Sequence, residues 1–168
     1  MREVWSAAAG QEDGPSLKTQ DRRLLRLSCL ALAASGKHLD VEHRLPYDVA
    51  SIRSARGLVR DFAEDRLSGL RLDELTLMVS EVVTNAVRHG SPEPDGSIGL
   101  RLEEDQDSLR VVVTDGGGPF AFDPGSVEDG KRNEHFGLLF VDRLADRWGL
   151  SLDGKKAIWL EVDSRKPS

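Results

Sequence analysis

Cysteine is nearly absent from this chain: Cys29 stands alone among 168 residues. That excludes an internal disulfide and a cysteine-built zinc site, and it fits a reducing compartment, so a cytoplasmic location is expected. No apolar run approaches the roughly 18 residues that a membrane helix requires, so no membrane contact is expected. Basic residues are outnumbered, 23 Lys and Arg against 29 Asp and Glu, and they form no stripe. A net charge of -6 therefore argues against nucleic acid as the main partner. The four histidines lack paired metal-ligand spacing. No G-x-S-x-G elbow marks a nucleophile, and there are no internal repeats. Aromatic content is only 5%, yet the 39% hydrophobic fraction is enough for one well-cored domain.

Residues 1–20 mix Gly, Ser, Asp and Lys without apolar periodicity, the pattern of a poorly ordered leader. The stretch DRRLLRLSCLALAAS (21–35) turns apolar. Two arginines before a short apolar run resemble an export signal, but the run is at the lower length limit and follows a long, acid-containing leader. An accessory helix is the better reading. The organisation expected is a leader over 1–40, one domain over 41–163 and a tail over 164–168.

Within the domain, HRLPYD (43–48) reads as a short strand closed by Pro46, with Asp48 as a helix N-cap. Val49, Ile52, Val59, Phe62 and Ala63 give an amphipathic helix running to about Leu67, and Gly69 breaks the chain. SPEPDGS (91–97) is a loop rich in turn formers. Ile98, Leu100 and Leu102, then Leu109, Val111 and Val113, alternate with other residues as two strands, with the turn at 105–108. Residues 120–134 show no periodicity, hold Pro124, Gly125 and Gly130, and read as a mobile lid. Lys131 and Arg132 are its only cations, placed where closure would bring a positive charge to phosphates; solvated surface charges are the plainer reading. HFGLLFVDRLADRWG (135–149) supplies another helix, and 148–152 and 157–162 are strand-like around a turn at Asp153 and Gly154.

The most informative stretch is LDELTLMVSEVVTNAVRHG (72–90). Leu72, Leu75, Met78, Val79, Val82, Val83 and Ala86 recur with helical spacing as a core-facing stripe. Arg88 and His89 suit the negative end of the helix dipole, and Gly90 suits a left-handed position after the last turn. Glu81 and Asn85, four apart, project from one face. A solvated polar face of Asp73, Glu74, Ser80, Glu81, Thr84 and Asn85 is the plain account. Leu77 in its middle hints that something covers that side. A carboxylate and an amide in a covered site suit Mg-phosphate chemistry, the amide oxygen as a hard ligand and the carboxylate as a base. Asp115, at a strand end before Gly116, Gly117 and Gly118, could accept from a base amine, although Asp and Gly are also common turn residues. GLSLDGKK (149–156) nearly matches a P-loop, but Lys156 replaces the final Ser or Thr and a strand follows where a helix is needed.

In this order, the E-x-x-x-N helix, a hairpin ending in Asp-Gly-Gly-Gly, a lid, a Gly-Leu-containing helix start and a closing hairpin resemble the gyrase, histidine-kinase and MutL type ATPases, the Bergerat fold. SEVVTNAVRHG (80–90) and VDRLADRWG (141–149) are similar to the anti-sigma factor serine/threonine kinases and the related actinobacterial ATP-binding regulatory proteins. The likeness spans about 42–162. It implies an α/β (α+β) two-layer sandwich, a mixed, mainly antiparallel sheet with helices on one face. It implies Mg2+ and ATP as cofactors, with Glu81 as general base, Asn85 as Mg ligand, His89 in the same helix motif, and Asp115 with Gly117 facing adenine. Gly137 and Leu138 would belong to a second glycine box, where a helix N-terminus meets phosphate. Pro119, His135 and Ala157 depart from the family pattern, the first two replacing glycines and the third a threonine of the closing strand. The function implied is a kinase that sequesters a sigma factor and phosphorylates a serine on an anti-sigma antagonist, with a homodimer as the common assembly of such relatives. The alternative is a catalytically silent ATP-sensing or nucleotide-free regulator of the same fold.

Overall fold

The computed structural model describes residues 39–67, 69–118, 132–151 and 156–165, with the backbone alone for 132–136 and 151. Its elements run β1 (Leu39–Pro46), α1 (Ala50–Ala63), α2 (Gly69–His89), β2 (Ser97–Glu104), β3 (Ser108–Asp115), α3 (Arg132–Leu144), β4 (Arg147–Ser151) and β5 (Lys156–Asp163). The expected leader helix, most of the lid with Pro119 and Lys131, and the turn at Asp153 and Gly154 lie outside the described residues.

The strands form one open sheet in the order β1-β2-β3-β5-β4, and every pairing is antiparallel. Alternation of side chains in a strand gives the sheet two unlike faces. On the inner face, Leu45 and Ile98 pair, as do Leu102 and Val111, Val113 and Ile158, and Leu109 and Val162, so apolar rows run across the strands. The stripe expected on α2 meets them: Leu72, Leu75, Met78, Val79, Val82, Val83 and Ala86 are all in the core, joined by Ala55, Val59 and Phe62 of α1 and Leu138 and Val141 of α3. The result is the two-layer α+β sandwich that the sequence predicts. The outer face carries charge instead, with Arg101 bonded to Asp40 and the Arg110 guanidinium 4.6 Å from the Trp159 ring centre.

Local chemistry fixes the ends of the elements. The Asp48 carboxylate accepts from the Ser51 N–H at 3.1 Å and so caps α1, as its position predicts. This helix stops at Ala63, earlier than the apolar pattern suggests, because residues 64–66 turn while the Leu67 N–H still bonds the Ala63 carbonyl. Gly69, at φ +53°, opens α2. Gly90 corrects an expectation: among the described residues only Gly69 and Gly96 have positive φ. Gly90 is needed for space, since a Cβ there would stand 2.7 Å from Asp115 Cγ. The end of the helix is packed directly under the acid of β3.

Three hydroxyls lie along α2 at four-residue intervals. Thr76, Ser80 and Thr84 donate to the carbonyls of Leu72, Thr76 and Ser80 at 2.6, 2.7 and 2.7 Å. Each hydroxyl is satisfied inside its own helix, so this polar stripe is partly buried without demanding partners from the sheet. Two further contacts hold the helix ends. Arg71 donates to the Leu144 carbonyl at 3.2 Å and also bonds Asp146, tying the start of α2 to the end of α3. At the other end the Tyr47 hydroxyl donates to the Gly90 carbonyl at 2.9 Å.

Candidate active site

Glu81 and Asn85 lie on the side of α2 that looks toward α3, and neither is out in solvent: Glu81 is half-buried and Asn85 is only 9% exposed. The purely solvated polar face is therefore excluded. Leu77, which hinted at a cover, is itself 41% exposed. What approaches Glu81 is the backbone of α3 at Gly137, where a Cβ would come within 2.6 Å of Glu81 Oε2. Only a residue without a side chain permits that approach.

Asn85 has an unusual position. Its Nδ2 is buried and has no hydrogen-bond partner among the described residues. A buried amide without a partner is destabilising by about 1–3 kcal/mol, so such a group calls for a partner, which an ordered water, an ion or a ligand can supply. The two ends of an amide exchange by a half-turn of the side chain, which would present the oxygen to a cation. Among the described residues there is no cluster of three or more His, Cys, Asp or Glu able to hold a metal. The donor set of one amide beside one carboxylate fits a hard ion such as Mg2+ that shares its other positions with phosphate oxygens and water.

Asp115 ends β3 on the inner face and is 3% exposed. Its Oδ1 accepts from the Gly117 N–H at 2.7 Å, and its Oδ2 lies 3.5 Å from Lys156 Nζ. A Cβ on Gly117 would stand 2.6 Å from Asp115 Oδ1. The glycines at 90 and 117 thus form the bare walls around one carboxylate. Along α2, the nine residues from Glu81 to Gly90 correspond to about 13 Å at 1.5 Å per residue, with Asn85 near the middle. Along this helix the Asp115 carboxylate lies at the Gly90 end, the Asn85 amide midway and the Glu81 carboxylate beside α3 at Gly137.

The remaining sites in the sequence fall out differently. His89 is exposed in the last turn of α2. Leu138 is a core residue at 2% exposure. The third helix starts at Arg132, so Gly137 lies more than one turn inside it and not at its mouth; the sequence placed the start too late because the first-turn residues carry no apolar pattern. Lys131 is outside the described residues, and of Arg132 only the backbone is described. Ala157, as a departure from the nucleotide-binding pattern, is expected on the nucleotide side, and the register corrects that. It pairs with Thr114, one step out of phase with Asp115, and so belongs to the outer face. The residue opposite Asp115 on the inner face is Lys156, which the sequence reading weighs only as the misfit in a near P-loop. The signal was present: Lys156 shares its parity with Ile158, Leu160 and Val162.

Two shallow grooves elsewhere, lined by Glu103, Asp105, Ser108, Arg110, Arg147 and Glu161 and by neighbouring residues, sit at the other end of β3. There the Arg147 and Arg110 guanidiniums pair with Glu161, and Arg147 is held charged above the usual arginine range chiefly by its bond to Glu161. This is an ion-paired surface remote from Asp115.

Comparison with known proteins agrees with the geometry. A 39% identical stretch of 54 residues, 30% of this chain, is shared with the serine-protein kinase RsbW of Bacillus pumilus (strain SAFR-032), and a 40% identical stretch of 86 residues, 45% of the chain, with the serine-protein kinase RsbW of Bacillus subtilis (strain 168). These stretches span 33% and 54% of the relatives' own lengths. The family model for the histidine kinase-like ATPase domain matches residues 45–161, from the end of β1 through most of β5. With its sheet, its helix layer and Glu81, Asn85 and Asp115 all inside that span, the chain belongs to the histidine kinase-like ATPase domain family.

Proposed function

We propose that this protein is an ATP-dependent serine/threonine kinase of the anti-sigma type, which binds a sigma factor and phosphorylates a serine on an antagonist of that binding. The observation that carries this reading is the orphaned amide of Asn85, one turn from a half-buried carboxylate and on the same helix that ends beneath Asp115. In it, Asp115 accepts a hydrogen bond from the base, and Gly117 keeps the approach open. Asn85 would hold the Mg2+, which would screen the phosphate charge. Glu81 takes the proton of the serine hydroxyl as that oxygen bonds to the terminal phosphorus and ADP departs. The names of the similar Bacillus proteins support serine as the acceptor.

No helix among the described residues is long and apolar enough to cross a membrane. The partners meet the protein in the cytoplasm, and a homodimer is the assembly we assign to it. The test is phosphoryl transfer to a cognate antagonist by the full chain and by Glu81→Ala. Loss of transfer by about 10²–10⁴-fold, with nucleotide affinity retained, is expected for a general base. Transfer at the wild-type rate would rule out that role, and retained binding of both protein and nucleotide without any transfer in the wild type would leave the silent regulator as the answer.

A further inference from the structure

The loop that follows α2 passes from one face of the sheet to the other around the end of β3. Gly90 lies on the inner face against Asp115, while Glu93 reaches the outer face, where its Oε1 accepts from the Thr114 hydroxyl at 2.9 Å. Between them the Ser91 carbonyl accepts from the Gly116 N–H at 2.8 Å. The Pro92 carbonyl comes so close that a Cβ on Gly116 would stand 2.2 Å from its oxygen. The bare backbone of Gly116 is the gap through which the loop crosses.

Glu93 is only 5% exposed, and none of the chemistry proposed above uses it. Its other oxygen, Oε2, accepts from Arg44 Nη1 at 2.7 Å. Arg44, Gly99 and Thr114 stand opposite one another on β1, β2 and β3, so they share the outer face. Gly99 keeps this row open, since a Cβ there would stand 2.2 Å from the Thr114 hydroxyl oxygen and 3.7 Å from Glu93 Oε1. Desolvation offsets much of the attraction in an ion pair with a buried partner, so stability is not what this carboxylate chiefly supplies. It supplies direction, because its two oxygens fasten the loop to two strands at once.

Fixing the loop fixes the acid of β3. The loop bonds both chain neighbours of Asp115, Thr114 on the outer face and Gly116 beyond it, and Gly90 closes on the side chain from the inner face. We propose that Glu93 is a positioning residue for the base site: from the opposite face of the sheet it clasps the loop to β3 and so holds Asp115 where it meets the amine of a base. This rests on the reading that a nucleotide base sits against Asp115.

The experiment is calorimetric titration of the full chain with Mg-ATP and with the Mg complex of purine riboside triphosphate, which carries hydrogen in place of the 6-amino group and keeps every other contact. The wild type is expected to prefer ATP by about 10- to 100-fold, the worth of a hydrogen bond to a charged group. In Glu93→Ala that preference is expected to fall below about threefold through weaker ATP binding alone, because a misaligned acceptor gains little from the amine. Thr114→Val, which removes the hydroxyl and keeps a strand-forming side chain, is expected to act in the same direction, and Thr114→Ser to keep the wild-type preference. A ratio that Glu93→Ala leaves unchanged overturns the proposal, including the case in which both nucleotides weaken together, the mark of a general loss of packing. If Glu93→Ala shows no cooperative melt, Thr114→Val decides by the same ratio. A wild type that binds the two nucleotides equally, or binds neither, refutes instead the placing of a base at Asp115, and the role of Glu93 falls with it.

Discussion

Replacing Asn85 with leucine separates what the residue does for the fold from what it does for the ligand. The side chain is about nine-tenths buried, and its Nδ2 has no partner among the described residues. Leucine has nearly the same shape and no polar atoms, so the unmet desolvation of about 1–3 kcal/mol disappears and apolar contact takes its place. Asn85→Leu should therefore stabilise the ligand-free protein by about 1–3 kcal/mol. For a chain of this size each kcal/mol moves Tm by about 2–4 °C, so a rise of about 2–12 °C is expected in a circular dichroism melt. The second half of the experiment repeats the melt with Mg-ATP. A ligand at a hundred times its Kd adds about 2.7 kcal/mol, and the wild type should show that further rise while Asn85→Leu should not. A ligand-free variant less stable than the wild type by more than about 1 kcal/mol would refute the reasoning, because it would mean that the amide is satisfied in solution.

Two further outcomes follow from named contacts. Gly137→Ala places a methyl 2.6 Å from Glu81 Oε2 and 3.0 Å from Glu81 Cβ, while gaining about 1 kcal/mol of helix propensity. Its melting curve should stay within about 1 kcal/mol of the wild type while phosphoryl transfer falls by about 10²-fold, since the displaced group is the proposed general base; equal losses of stability and activity would contradict this. Asp95 is held below the usual carboxylate range by the Ser97 hydroxyl and then by the Ser97 N–H. A depressed pKa means that its contribution is present above the unfolded value of about 3.9 and is lost as pH falls through the lower folded value. Asp95→Asn should accordingly flatten the acid limb of stability against pH below about 4 and leave the neutral region nearly unchanged, as read from urea midpoints.

The legible parts of this molecule are those whose physics is local and periodic. The stripe of α2 is buried as its 3.6-residue spacing requires, and the alternation from Ile98 to Leu102 and from Leu109 to Val113 falls on the inner face. Asp48 announced the start of α1 by a side chain that bonds three residues ahead. What the sequence concealed depends on register between distant strands. Ala157 and Lys156 are neighbours, and only the pairing of β5 with β3 decides which of them shares a face with Asp115. The role of Gly90 was hidden for the same reason: its dihedral preference is a local property, whereas the acid it must clear comes from a strand 25 residues further on. The approach of Gly137 to Glu81 is likewise a meeting of two helices that no single segment encodes.

The bonding along α2 has a mechanical meaning. The hydroxyls of Thr76, Ser80 and Thr84 donate to acceptors on the same helix, so when the helix shifts as a body each donor travels with its acceptor and none of these bonds stretches. Among the described residues the bonds that would resist a shift are near its ends, Arg71 to the close of α3 and Asp73 to Arg60 of α1 at one, the Gly90 carbonyl to Tyr47 at the other. The helix behaves as a beam pinned near both ends and bearing smoothly in between, and Glu81 and Asn85 ride on its span. Their height above the sheet is therefore set by the stiffness of the helix and by the anchors at its two ends, Arg71 about 15 Å from Glu81 and Gly90 about 7 Å from Asn85, measured along the axis.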